Sequence, residues 1–398
     1  MATAPQGQIC LLWSVKLNLM TNSLGSGQSD GAGQPPPATF RERRERLLES
    51  LDAAGLRFLL VTKPVDTYYL TGFRGSAGML LVGRRRTRLW VDPRYTLQAG
   101  AQTAGIEVIE TREGLGRTVA AWLRKSRPKA VGYQDLHLVC AEFAAIRHDA
   151  GRKAGIRWQS AGAMLDSLRM VKDAWEIGRI RRAGKLTADV FTEVLPMVRP
   201  GACESELAAE LEYRMKRAGA DGAAFETIVV SGPRGAWPHA RASCRRLRSG
   251  ELVIVDLGAI LSAYAADMTR TVYLGRPSKR ARHLYESVAE AQQEAVENLR
   301  PGLTGNDADA AARRALARRK LDQYFTHSTG HGVGLEVHER PRLGRGDQTP
   351  LPAGCVVTVE PGLYVEGYGG VRIEDTVLVG ENGPEIVTPA SKESWFTG

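Results

Sequence analysis

Asp256 and Asp267 lie in the segment VIVDLGAILSAYAADMTRTV, each in or beside an apolar strand, and their midpoint falls between Leu261 and Ser262. If this segment folds as an antiparallel hairpin, residues equidistant from its midpoint lie opposite each other and point to one face. Two carboxylates that close repel strongly and cannot both ionise without a compensating cation. Two unrelated surface turn residues would need no such partner. Asp256, however, directly follows the apolar run Leu252–Val255, and a carboxylate at the end of a buried strand usually has a partner. Glu360 and Glu374, in VTVEPGLYVEGYGGVRIEDTVLV, repeat the arrangement about Gly367. Either Glu alone reads as a solvated strand residue; the recurrence argues for four carboxylates delivered by two hairpins.

A fifth donor is His331. Of seven histidines, His327, His331 and His338 fall together in HSTGHGVGLEVHE. The helical zinc-protease pattern HExxH is absent, because Ser328 follows His327 and glycines flank His331. This is a loop-and-strand site. One imidazole with four carboxylates suits two hard or borderline divalent cations, such as Mn²⁺ or Co²⁺, better than a structural Zn²⁺. Two such ions lower the pKa of a water and polarise a carbonyl, so the expected reaction class is metal-assisted hydrolysis.

These donors need strands to carry them and helices to back the strands. The pattern predicts helices over 173–198 and 205–218, then strands at 227–231, 252–257 and 269–273. It predicts helices again over 281–299 and 307–319, then strands at 356–359, 362–365 and 371–379. Two helices followed by several strands occur twice, which suggests two related halves about a pseudo-twofold axis, with a ligand cleft between them. No convincing residue-level identity links the halves. Upstream, a helix over 40–54, a buried strand at 58–61, a hairpin of 79–82 with 88–91, a helix near 116–126, a strand at 130–132 and a helix near 141–154 read as an α/β domain. The expected organisation is a tail over 1–38, an N-terminal domain over 39–165 and a catalytic domain over 166–398. Asn22–Pro37 is rich in Gly, Ser, Gln and Pro and reads as a disordered linker. No basic region precedes the mildly apolar stretch 6–20, so a secretory signal is not expected.

Composition is that of a globular chain: 398 residues, 43% hydrophobic and 25% charged. No run approaches the roughly 18 apolar residues of a membrane span. The net charge of +10 invites a nucleic-acid reading, but the basic runs lack interleaved aromatics. Arg84–Arg86 reads as a hairpin turn, and Arg313, Arg314, Arg318 and Arg319 read as one solvated helix face. Five scattered cysteines with no CxxC pair support neither a disulfide framework nor a cysteine zinc site, which fits a reducing cytoplasm.

The order Asp256, Asp267, His331, Glu360, Glu374, within VDLGA, ADMTRT, HSTGHGVGLEVHE, VEPGLY and RIEDT, resembles the pita-bread metallopeptidase family, in its aminopeptidase P and prolidase (Xaa-Pro peptidase) branch. The resemblance runs over 40–395 and includes DTYYLTGFRGSAG. It implies an α+β pita-bread catalytic domain, two pseudo-symmetric α/β halves around a curved antiparallel sheet, preceded by a smaller α/β creatinase-like domain. It implies a dinuclear centre held by Asp256, Asp267, His331, Glu360 and Glu374, with Mn²⁺ first and Co²⁺, Zn²⁺ or Fe²⁺ as alternatives. It also implies roles for other residues. His239, in WPHARA, would serve the leaving group, and His338 the substrate carbonyl. His327 would line the proline pocket, Arg372 would orient the acidic ligands, and Glu360 would double as acid/base. On the residues alone, His239 reads as a turn histidine and Arg372 as an exposed strand arginine.

The implied activity is release of an N-terminal residue from a following proline, acting on peptides with proline second. The expectation places an Xaa-Pro aminopeptidase first and a strict Xaa-Pro dipeptidase second. The dipeptidase needs a positive group for the substrate carboxylate, which the sequence does not locate. A metal-free peptide- or nucleic-acid-binding protein on the same fold is the alternative of another class. A cytoplasmic homodimer, with neither nucleic acid nor membrane as partner, completes the expectation. One departure from relatives, Ala240–Arg241–Ala242–Ser243 after Pro238–His239 where many read Gly-x-Pro-Ser, alters the rim beside His239.

Overall fold

The computed structural model describes residues 35–151, 155–393 and 395–397. The expected tail therefore lies outside the described residues up to Gln34, and its last two residues, Pro37 and Ala38, are helical instead. Pro37 opens the first helix, where its missing N–H costs nothing.

The first part is a mixed sheet sandwiched by helices. Its strands are β1 (Phe58–Val61), β2 (Gly78–Gly83), β3 (Arg88–Val91), β4 (Glu107–Glu110), β5 (Ala130–Tyr133) and β6 (Arg157–Ser160), in the order β4-β3-β2-β1-β5-β6. The helices are α1 (Pro37–Ala53), α2 (Pro64–Thr71), α3 (Thr96–Gln102), α4 (Leu115–Ser126), α5 (Cys140–Ala150) and α6 (Gly162–Met170). Leu59, Leu60 and Val61 are fully buried, since helices cover both sheet faces. The predicted 79–82/88–91 hairpin is present. Five elements of this part go beyond the sequence reading, namely α2, α3, β4, β6 and α6, and β6 is half-exposed.

The second part delivers the expected twofold repeat. Its first half contains α7 (Ala174–Val194), α8 (Glu204–Arg217), β7 (Gly222–Ala223), β8 (Ile228–Ser231), β9 (Leu252–Leu257), β10 (Ala259–Leu261), β11 (Tyr264–Ala265) and β12 (Met268–Tyr273). Its second half contains α9 (Lys279–Glu297), α10 (Gly305–Arg318), β13 (Gly330–Gly332), β14 (Glu339–Leu343), β15 (Cys355–Val359), β16 (Gly362–Val365), β17 (Gly369–Arg372), β18 (Asp375–Gly380) and β19 (Gly383–Ile386). The sheets are antiparallel, in the orders β12-β9-β8 and β14-β13-β15-β18-β19, with β16-β17 as a ribbon. Helices α7 and α10 start at reciprocal capping boxes, Asp173 with Glu176 and Thr304 with Asp307. The segments entering α8 and α10 share Arg-Pro-Gly, at 199–201 and 300–302, a short identity between the halves that the sequence reading passes over.

The second hairpin behaves as expected. The pairs Val359↔Asp375 and Gly362↔Arg372 bracket Glu360 and Glu374, which therefore face each other across the ladder about Gly367. The first needs a correction. Asp256 pairs with Thr269, not Asp267, because the turn centres on Ser262 and Ala263, both at positive φ (53° and 74°), one residue beyond the expected midpoint. Asp267 stands two residues from Thr269, so it keeps the same face as Asp256. The predicted strand 371–379 is also broken, at Ile373–Glu374, where the chain passes from the β16-β17 ribbon into the larger sheet. That break releases Glu374 from regular pairing.

Candidate metal centre and active site

Asp256, Asp267, His331, Glu360, Glu374, His239, His327, His338 and Arg372 all line one cavity of about 800 Å³. Asp267, His331 and Glu374 each offer a ligand atom within 4.8 Å of the others. His331 Nε2 lies 3.4 Å from Glu360 Oε1 and 3.7 Å from Asp267 Oδ2. His331 Nδ1 lies 3.1 Å from the Gly332 carbonyl, which can only accept, so Nδ1 carries the proton and Nε2 turns its lone pair toward the carboxylates. Burial pushes the imidazole pKa down to about 4. A lone pair facing carboxylate oxygens is completed by a cation.

The carboxylates say the same. Burial, then mutual repulsion, pushes Asp267 and Glu374 well above the usual carboxylate range. Burial pushes Glu360 up to about 8 against the pull of Arg372. Asp256 Oδ1, Asp267 Oδ1 and Glu374 Oε1 are buried without a hydrogen-bond partner among the described residues, an expensive state unless something binds there. The donor set therefore fits divalent cations, which neutralise the repulsion and occupy the orphaned oxygens.

Three of the other carboxylate oxygens are held from behind. Arg372 Nη2 donates to Asp256 Oδ2 at 2.6 Å, Thr269 Oγ1 to Glu374 Oε2 at 2.6 Å, and Thr358 Oγ1 to Glu360 Oε1 at 3.2 Å. Arg372 is buried, not an exposed strand arginine. Its Nη1 also donates to Tyr364 Oη at 2.9 Å and to the Pro238 carbonyl at 3.1 Å. Arg270 donates to the Glu374 carbonyl at 2.5 Å and pairs with buried Asp375 at 2.7 Å. Glycines explain the path around His331: a Cβ on Gly330 would lie 1.9 Å from the Thr358 carbonyl oxygen, and one on Gly332 2.2 Å from that of Arg340.

The histidines are differently placed. His239 is exposed and lines the cavity. His338 stacks obliquely on His331, with ring centroids 4.2 Å apart. His327 Nδ1 donates to the Ser328 carbonyl at 2.8 Å, leaving Nε2 to accept from Tyr364 Oη at 2.8 Å.

Several contributors escaped the sequence reading. Arg313 does not belong to a solvated face: it pairs with buried Asp309 at 2.6 Å and donates to the His327 carbonyl at 2.5 Å. Arg318 and Arg319 pair with Glu290 on α9. Arg169 on α6 pairs with Asp66 on α2 and reaches across to Glu336 and Glu339 of the second part. Arg342 is the cross-strand partner of His331 and lines the cavity. In the sequence β13 is three residues with two glycines and β14 carries a proline, so neither registers as a strand.

Residues 178–381 match the family model described as Metallopeptidase family M24, and residues 43–171 that of the Creatinase/Prolidase N-terminal domain. The chain is 34% identical to a Xaa-Pro dipeptidase of Pyrococcus horikoshii over 89% of this chain and 99% of that protein. Among solved structures it is similar to a Xaa-Pro dipeptidase from Bacillus anthracis (TM-score 0.86, 36% identity, 90% of this chain and 100% of that one). It is also similar to an X-Pro aminopeptidase from Thermotoga maritima (TM-score 0.81, 34% identity, 89% and 100%).

Proposed function

Since the chain belongs to metallopeptidase family M24, we propose that it is a Xaa-Pro dipeptidase, hydrolysing the bond between an N-terminal residue and a C-terminal proline. This reverses the order of the two activities expected from sequence. Dipeptidases of similar sequence and structure support it. The observation that carries it is Arg342. The side chain stands across the ladder from His331, and its Nε donates to Ser328 Oγ at 2.8 Å. Its two terminal nitrogens have no protein partner among the described residues, which leaves a fork for a substrate carboxylate. In this reading Arg342 supplies the positive group that a dipeptidase needs for the substrate carboxylate.

In this reading Asp256, Asp267, His331, Glu360 and Glu374 would hold two divalent ions, Mn²⁺ first, which would activate a water and polarise a carbonyl. His338 donates to the carbonyl oxygen as charge develops there. Glu360 moves the proton, and His239 delivers one to the proline nitrogen. His327, kept neutral, lines the proline pocket. Proline has no N–H to offer a general peptidase, so a shaped pocket replaces that contact. A homodimer in the cytoplasm accompanies this reading; the free thiols of Cys140, Cys203, Cys244 and Cys355 fit a reducing compartment. No helix among the described residues is long and apolar enough to cross a membrane.

The aminopeptidase reading is supported by the Thermotoga relative and by a second groove of about 510 Å³ past Arg342, lined also by Arg345, which offers room for a longer peptide. Arg342→Met separates the two. The dipeptidase reading expects KM for Xaa-Pro to rise roughly 10–100-fold, the worth of a charged hydrogen bond, with KM for the Xaa-Pro amide unchanged. Equal effects on both substrates, with Xaa-Pro-Yaa cut as fast as Xaa-Pro, would favour the aminopeptidase.

A further inference from the structure

The loop that carries His239 is closed at both ends by one carboxylate. Glu204, the first residue of α8, is fully buried. Its Oε1 accepts from the Ser231 N–H (2.9 Å) and Oγ (2.8 Å). Its Oε2 accepts from the Ser243 N–H (3.1 Å) and Oγ (2.7 Å), and from Arg234. The clasp is reciprocal. The first-turn N–H groups of α8, which no helical carbonyl can satisfy, donate outward: Glu204 to the Arg245 carbonyl at 3.0 Å and Ser205 to the Ser243 carbonyl at 2.9 Å. Arg234 then extends from the carboxylate to the Arg241 carbonyl at 2.6 Å, two residues beyond His239.

The His239 ring has no hydrogen-bond partner among the described residues, so its backbone must set its position. That backbone is held from the cavity side by Arg372 on the Pro238 carbonyl and from behind by Glu204. The second half uses the same device. Asp309 on α10, also buried, accepts from the Thr329 N–H (3.1 Å) and Oγ1 (2.9 Å). Its partner Arg313 bridges to the carbonyls of Phe325 (3.1 Å) and His327 (2.5 Å). In both halves, a buried acid on the second helix grips a hydroxyl residue through N–H and side chain, and an arginine passes the hold on to a histidine-bearing loop. A carboxylate serving only to cap α8 would not need five donors drawn from both ends of that loop.

We propose that Glu204 is a positioning residue that sets the His239 loop against the metal centre, so that its loss slows the step served by His239 while leaving metal binding intact. The inference rests on the role of His239 given above. Glu204→Gln keeps the shape but turns one acceptor into a donor facing Arg234 or the serines. A misplacement of about 1 Å costs on the order of 10²-fold in rate, so kcat should fall about 10–100-fold with metal stoichiometry and KM little changed.

The test is a double-mutant cycle with His239→Ala, read on whichever peptide the wild type cuts, together with amide exchange of residues 232–243. Glu204→Gln should cost little further activity in the His239→Ala background, should speed exchange in the loop but not in β9, and Glu204→Asp should recover part of the rate. If Glu204→Gln does not fold, Glu204→Asp is carried through the same cycle. Equal rate losses in both backgrounds, or an unchanged loop exchange, would overturn the proposal. Failure of the peptidase reading would show separately, as a wild type inert toward Xaa-Pro peptides, and the exchange result would still decide whether Glu204 holds the loop.

Discussion

Arg372 Nη2 donates to Asp256 Oδ2 at 2.6 Å while the second oxygen of Asp256 is buried with no partner among the described residues. One side of the carboxylate is thus locked in direction, and the other is left for a cation. The same guanidinium reaches Tyr364, which bonds His327, and Pro238, so Asp256, His327 and the His239 loop share one anchor. Arg372→Lys cannot span these partners with a planar fork. Its metal affinity or kcat/KM should fall about 10–100-fold, the usual cost of losing a group that orients a ligand. Metal titration by calorimetry beside peptide hydrolysis checks this, and wild-type values for both would show the anchor to be dispensable.

His327 provides a pH signature. Burial first, then the charges of Arg372, His239 and Arg313, lower its pKa from 6.5 to about 4. Between those values the unfolded chain binds the proton that the folded chain refuses. The stability contributed by this group is therefore complete above about pH 6.5 and lost as pH falls toward 4. In NMR titration the His327 imidazole should stay neutral down to about pH 4. Urea unfolding of His327→Gln should show a shallower loss of stability over that window than the wild type. A His327 midpoint near 6.5 would contradict the neutral hydrogen-bonded ring.

The first part of the chain supports the site through Arg169. This buried guanidinium donates to Asp66 at 2.8 Å and holds Glu336 and Glu339, which flank His338. Lys172 adds a contact to Glu339 at 2.8 Å and Lys63 one to Glu336 at 2.6 Å. Removing one member of such a network leaves buried charges uncompensated, at about 3–5 kcal/mol. Arg169→Met should lose stability of that order in chemical denaturation. A loss below about 1 kcal/mol, typical of exposed pairs, would mean that the network is solvated.

The sequence was most readable where chemistry and periodicity coincide. Glu360 and Glu374 fall opposite each other because a single turn at Gly367 governs both ladders. Asp256 and Asp267 share a face, but their register depends on Ser262 and Ala263 adopting positive φ, which neither residue type announces. Arg313 looked solvated because helical spacing says nothing of what faces the helix; Asp309 and the 325–327 loop were the missing neighbours. Arg169 and Arg342 sit in elements with weak patterns, and their roles arise from contacts across long chain separations. Glu204 reads as an ordinary first-turn acid until Ser231 and Ser243 are seen closing on it.

The central claim is that buried, mutually repelling carboxylates and one imidazole form a cation site that drives Xaa-Pro hydrolysis. The most direct measurement is hydrolysis of Xaa-Pro, Xaa-Pro-Yaa and Met-Ala-Yaa peptides by protein stripped with a chelator and then supplied with Mn²⁺, Co²⁺, Zn²⁺ or Fe²⁺ in turn. The stripped protein should be inert, and a divalent ion should restore cleavage of Xaa-Pro but not of Met-Ala-Yaa. Full activity after stripping, or restored cleavage confined to the methionine peptide, would contradict the account.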